Sequence, residues 1–106
     1  FDLGGTKMQA KAFDDRMKEL GGKRRKTKGA EGMAAGFQRM IATIEELLTE
    51  LGIAREQVAG IGVGCPGPLD LDAGVILYAP NLGWKDVPLR RRDFQAQAQD
   101  RVQVIP

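Results

Sequence analysis

The opening block Asp2-Leu3-Gly4-Gly5-Thr6-Lys7 carries the residue types and the spacing that phosphate chemistry needs. Two adjacent glycines let the backbone turn tightly and come close to a ligand. Backbone N–H groups in such a turn can converge on an anion. Thr6 adds a hydroxyl donor and Lys7 a positive charge. Asp2 adds a carboxylate where a hydrated Mg²⁺ would accompany a phosphate, since Mg²⁺ prefers oxygen ligands and retains waters. The block is not the G-x-x-x-x-G-K-[ST] loop that opens a helix. Here the chain runs on as Met8-Gln9-Ala10-Lys11-Ala12-Phe13, a strand pattern with its apolar residues on one face. Gly-Gly between strands also serves as an ordinary hairpin turn, so this block alone leaves a structural reading open.

Other candidates are weaker. Gly60, Gly62, Gly64 and Gly67 suggest a dinucleotide loop, but Pro66 and Pro68 interrupt them and no helix opens there. They read better as a glycine-lined strand end beside a ligand cleft. Cys65 has no base to activate it, because the chain contains 0 histidines. It reads as a packing residue. Asp70 and Asp72 flank Ala73-Gly74 and read as turn formers rather than paired acids. Trp84 follows a glycine and reads as packing at a cleft rim. Lys23, Arg24, Arg25, Lys26 and Lys28 form a basic run that reads as a solvated edge strand. Arg90-Arg91-Arg92 reads as the exposed start of a helix. No aromatics interleave with either cluster, which argues against single-stranded nucleic acid.

The chain-wide numbers set the frame. A length of 106 residues allows one domain or less. Apolar content of 42% and charged content of 28% are ordinary for a globular protein. A net charge of +2 does not by itself call for a nucleic-acid partner. A single cysteine excludes an internal disulfide and fits a reducing cytoplasm. No apolar run reaches membrane-spanning length, and no signal peptide is visible. The motif arrives at position 2, and Val102-Gln103-Val104-Ile105-Pro106 stops as a strand, so the chain reads as a piece of a longer protein.

These residues need elements to hold them. Residues 1–27 read as a strand meander with a polar turn at Asp14-Asp15 and a third strand over about 17–27, interrupted at Gly21-Gly22. Met33, Phe37, Met40, Ile41, Ile44, Leu47, Leu48 and Leu51 follow helical spacing and predict a helix over 31–51. Gly52 is its C-terminal cap, and Gly32 and Gly36 weaken its first turns. Residues 58–64 predict a buried parallel strand. Asp70 to Gly74 predicts a hairpin turn leading into Val75-Ile76-Leu77-Tyr78. Residues 79–88 predict loop, 88–99 a helix, and the end of the chain a strand. The order is β-β-β-α-β-α-β, with a short extra strand in the second crossover, and indicates an α/β fold with a mixed sheet.

With these blocks in hand, the chain resembles the ROK family of sugar kinases and sugar-responsive repressors. Phe1 to Lys7 is similar to that family's first phosphate motif. Ile61-Gly62-Val63-Gly64-Cys65-Pro66-Gly67-Pro68-Leu69-Asp70 is similar to its glycine-proline loop. Ala79-Pro80-Asn81-Leu82-Gly83-Trp84 is similar to its loop at the sugar pocket. The three blocks in order, at matching spacing, span nearly the whole chain. The resemblance implies an incomplete actin-like ATPase (ribonuclease H-like) domain. Residues 1–106 would be the N-terminal ATPase-type subdomain of a glucokinase-like ATP-dependent hexose kinase. A sugar-sensing transcriptional regulator is the alternative, and a plain structural domain without ligand is a third reading.

The resemblance also implies roles. Asp2 would hold Mg²⁺ through water, and Gly4, Gly5, Thr6 and Lys7 would surround the transferred phosphate of ATP. Gly67 and Asn81 would lie beside the sugar hydroxyls. The general-base aspartate, in an Asn-Asp motif, is expected beyond Pro106. So are the remaining sugar ligands, a Cys/His cluster for Zn²⁺ and the adenosine site. Residues 1–106 alone are therefore expected to be inactive. Self-association of the parent protein is also implied.

Overall fold

The computed structural model describes residues 1–65, 69–70, 72–73, 75–79, 84–87 and 102–105. Three strands come first: β1 (Asp2–Leu3), β2 (Lys7–Phe13) and β3 (Glu19–Lys26). The helix α1 (Met33–Leu51) follows, then β4 (Ile61–Gly64), β5 (Leu69–Asp70), β6 (Val75–Ala79), β7 (Trp84–Val87) and β8 (Val102–Ile105). Among the described residues, the main sheet runs β3-β2-β1-β4-β8 and a smaller sheet runs β5-β6-β7. The β1–β2 and β2–β3 pairs are antiparallel, whereas β1–β4 and β4–β8 are parallel. This is the expected mixed sheet. The helix expected over 88–99 lies outside the described residues.

The period-2 pattern of β2 decides which face is covered. Met8 and Ala10 are buried, while Lys7 and Lys11 are exposed. On the covered side, Ala10 clusters with Ile44 and Leu47 of α1, and Phe1, Ala12, Leu48 and Leu51 pack around them. Leu3 and Val63 are buried, as are Phe37 and Met40 of the helix. Of the eight apolar helix positions read from the sequence, Met33, Ile41, Leu48 and Leu51 are only half-buried. Among the described residues, no helix is long and apolar enough to cross a membrane.

The helix ends obey local chemistry. Gly32 has φ 94° and ψ 171°, a backbone no helix accepts, so α1 starts at Met33. Of the two extra residues expected in the helix, Glu31 closes a 3-10 turn at Gly29–Glu31 and Gly32 is the helix N-cap. At the other end Gly52 takes φ 69°, and its N–H donates to the carbonyls of Leu48 and Thr49. The Ile53 N–H closes on Leu48 at 2.9 Å, completing the glycine cap that the sequence predicts.

Two expectations need correction. Gly21-Gly22 does not interrupt β3, which runs on through both, and the irregularity is a bulge at Leu20 beside them: Ala12 pairs with Gly21 and Phe13 with Glu19. Gly21 faces α1 instead: a Cβ there would lie 3.0 Å from Leu51 Cδ2, so the missing side chain makes room for the helix. The stretch 79–88, expected as loop, contains β7 and the last residue of β6. Val87 pairs with Ile76 and Trp84 with Ala79. The turn at Asp14 and the β5–β6 hairpin are as expected. Asp14 Oδ1 accepts from the N–H of Arg16 and of Lys18, both at 2.9 Å. Asp70 Oδ1 accepts from Ala73 N–H at 3.0 Å, the turn role read for it.

Candidate phosphate-binding turn

Strand β1 is short because its neighbours end it. Asp2 pairs with Gln9 on one side and Gly64 on the other, and Leu3 pairs with Met8. Leu3 is buried beside its pair partner Met8, so alternation turns Asp2 to the opposite, exposed face. The chain then reverses through Gly4, Gly5 and Thr6 into β2. Gly4 N–H donates to the Lys7 carbonyl at 3.0 Å. A Cβ on Gly4 would lie 2.6 Å from that oxygen, so only glycine fits without movement.

Both carbonyls flanking Gly5 are taken. Thr27 Oγ1 donates to the Gly4 carbonyl at 2.8 Å. Thr27 N–H donates to the Thr6 carbonyl, also at 2.8 Å. Among the described residues, no acceptor takes the N–H of Gly5 or of Thr6. Gly5 is half-buried and Thr6 and Lys7 are exposed. The turn thus offers two adjacent unspent backbone donors, a hydroxyl and an ammonium. That is a donor set for an anion.

Asp2, Gly4, Gly5, Thr6 and Lys7 are therefore brought together on the β1–β2 hairpin. The Asp2 carboxylate is exposed and accepts no side-chain hydrogen bond among the described residues. Also among them, no group of three or more His, Cys, Asp or Glu could hold a metal ion unaided. An exposed carboxylate beside an anion turn suits Mg²⁺, which is commonly held by one or two carboxylates plus phosphate oxygens and water. Gly67 and Asn81 lie outside the described residues. Cys65, half-buried, follows β4 at the end that lies beside Asp2.

Thr27 and Arg39 escaped the sequence reading. Thr27 is wholly buried although polar. Arg39 Nη1 donates to the Thr27 carbonyl at 3.0 Å, and Arg39 also forms an ion pair with Glu31. The available signal was register: if Lys7 faces Lys26, the next pair along the ladder is Thr6 with Thr27.

The basic run splits by alternation. Lys23 and Arg25 turn toward α1: Lys23 Nζ lies 2.5 Å from Glu50, and Arg25 pairs with Glu46. The hydrogen bond to Glu50 raises the Lys23 pKa, and that from Arg25 lowers the Glu46 pKa. Arg24 and Lys26 are exposed.

Residues 1–105 match the ROK family. Among solved structures, the chain is similar to a ROK hexokinase from Thermus thermophilus, at 35% identity and a TM-score of 0.79 over 98% of this chain. It is also similar to a ROK family glucokinase from Streptomyces griseus, solved with glucose and AMPPNP, at 25% identity and a TM-score of 0.80 over 97% of this chain. The chain spans 33% and 30% of the length of these two enzymes. The fold is thus the actin-like ATPase α/β fold expected above. A putative xylose repressor from a Caldicellulosiruptor species is 37% identical over 55 residues, covering 52% of this chain and 14% of the repressor.

Proposed function

Because the chain belongs to the ROK family, we propose that residues 1–106 form the N-terminal ATPase-type subdomain of a glucokinase-like kinase that transfers the γ-phosphoryl group of ATP to a sugar hydroxyl. The observation that supports this reading is the Gly4–Lys7 turn, whose Gly5 and Thr6 N–H groups meet no acceptor among the described residues, with the exposed Asp2 carboxylate alongside.

In this reading the turn binds the transferred phosphate. The backbone donors, the Thr6 hydroxyl and the Lys7 ammonium fix its oxygens and offset the charge that spreads over them. Phosphoryl transfer needs little else from a protein beyond position and charge. Asp2 would hold a Mg²⁺ through water, and that ion would neutralise further phosphate charge. Gly67 and Asn81 contact the sugar. The general base lies beyond Pro106, so residues 1–106 alone do not turn over. In this reading the parent self-associates and works in the cytoplasm, and any Zn²⁺ it holds lies outside this stretch.

A sugar-sensing regulator is the second reading, favoured by the match to the xylose repressor. One experiment separates the two. Full-length protein is assayed for ADP release with ATP and a panel of hexoses, as wild type and as Asp2→Asn. The kinase reading expects sugar-dependent turnover, and at least about a tenfold lower kcat in the variant, since each 1.4 kcal/mol at the transition state is tenfold. Sugar-dependent DNA binding without turnover would instead support the regulator.

A further inference from the structure

Thr27 is polar yet 0% exposed, and such a group is costly to bury unless its hydrogen bonds are made. Its hydroxyl proton, its N–H and its carbonyl are all bonded, and two of these bonds go to the turn. Its hydroxyl takes the Gly4 carbonyl and its N–H takes the Thr6 carbonyl. Its own carbonyl is held by Arg39, which also reaches the Lys28 carbonyl at 3.5 Å and pairs with Glu31. The Arg39 carbonyl in turn accepts the Thr43 hydroxyl at 2.6 Å, deep under the sheet. A continuous array of polar contacts therefore runs from the turn into α1.

The peptide plane gives this array a consequence. In a trans peptide the C=O of one residue and the N–H of the next point in opposite directions. With the Gly4 carbonyl fixed on Thr27, the Gly5 N–H must point away from Thr27. We propose that Thr27 is a positioning residue for phosphoryl transfer. It acts through Gly5 by holding the Gly4–Gly5 peptide so that the Gly5 N–H points away from it, and Arg39 secures it from α1. This inference rests on the reading that the turn binds phosphate. Thr27 itself, wholly buried, does not touch the nucleotide.

Removing the hydroxyl leaves the Gly4 carbonyl free to rotate the peptide, so the loss is in phosphate binding. The test compares Thr27→Val, Thr27→Ser and wild type in the full-length protein, with KM for ATP and for sugar measured separately and folding followed by circular dichroism. Thr27→Val is expected to lose about tenfold in kcat/KM for ATP, the size of one unmade buried hydrogen bond. The sugar KM should move less than about twofold by the same reasoning. Thr27→Ser, which keeps the donor, should recover most of the loss. Arg39→Lys serves if Thr27→Val does not fold, and is expected to show the same ATP-selective defect. Folded Thr27→Val or Arg39→Lys with unchanged ATP kinetics, or with equal losses for ATP and sugar, overturns the positioning role while leaving the kinase reading intact. A wild-type protein without sugar-dependent turnover overturns both.

Discussion

Gly4 in the β1–β2 turn and Gly22 in β3 should respond to alanine with opposite sign. At Gly4 a new Cβ would stand 2.6 Å from the Lys7 carbonyl oxygen. Relief requires that oxygen to retreat by roughly 0.8 Å, which takes the 3.0 Å hydrogen bond between Gly4 and Lys7 beyond bonding range. The lost bond costs about 0.5–1.5 kcal/mol. Forcing the turn to accept a methyl group adds about 1–3 kcal/mol. Gly4→Ala is thus expected to lose about 2–4 kcal/mol of stability. At Gly22 the nearest atom to a new Cβ is the Ala10 carbonyl oxygen at 3.4 Å, an ordinary contact. There the unfolded chain loses more freedom than the strand does, so Gly22→Ala should gain up to about 1 kcal/mol. Urea unfolding followed by circular dichroism reads both, as shifts in midpoint at constant slope. Equal midpoints for the two variants would refute the reasoning, since the only difference invoked is the distance to one backbone oxygen.

Other expectations follow from burial and from the proposed sugar contact of Asn81. Leu47 is 4% exposed and packs against Ala10 and Ile44, so Leu47→Ala should cost about 2–5 kcal/mol in the same unfolding assay. Asn81→Ala in the full-length protein should raise the sugar KM about two- to tenfold, the worth of one neutral hydrogen bond, and leave the ATP KM within about twofold. An ATP-selective defect there would put the loop on the nucleotide side of the cleft.

The sequence carried the site's inventory better than its support. Asp2, Gly4, Gly5, Thr6 and Lys7 are consecutive or nearly so, and a local motif displays them directly. The α1 pattern was equally legible, because burial against one sheet face imposes helical spacing on Phe37, Met40, Ile44 and Leu47. The reading stumbled where a residue's role is set by a distant partner. Gly21 looks like a strand break in the sequence, yet it is an accommodation to Leu51, 30 positions on, that only the packed helix makes visible. Thr27 and Arg39 carry no motif, and their roles arise from strand register and from how α1 crosses it. β7 was missed because Trp84-Lys85-Asp86-Val87 is too short to show alternation, and its strand character comes from pairing with β6.

The central claim is that the Gly5 and Thr6 amides receive a phosphate. Full-length protein labelled with ¹⁵N at glycine and threonine, titrated with Mg²⁺–ATP and followed by two-dimensional NMR, tests it most directly. The Gly5 and Thr6 amide resonances should shift downfield and further than any other labelled amide, saturating together with Lys7→Ala weakening the effect. Shifts confined to other glycines, with Gly5 and Thr6 unmoved at saturation, would contradict the assignment of this turn as the phosphate site.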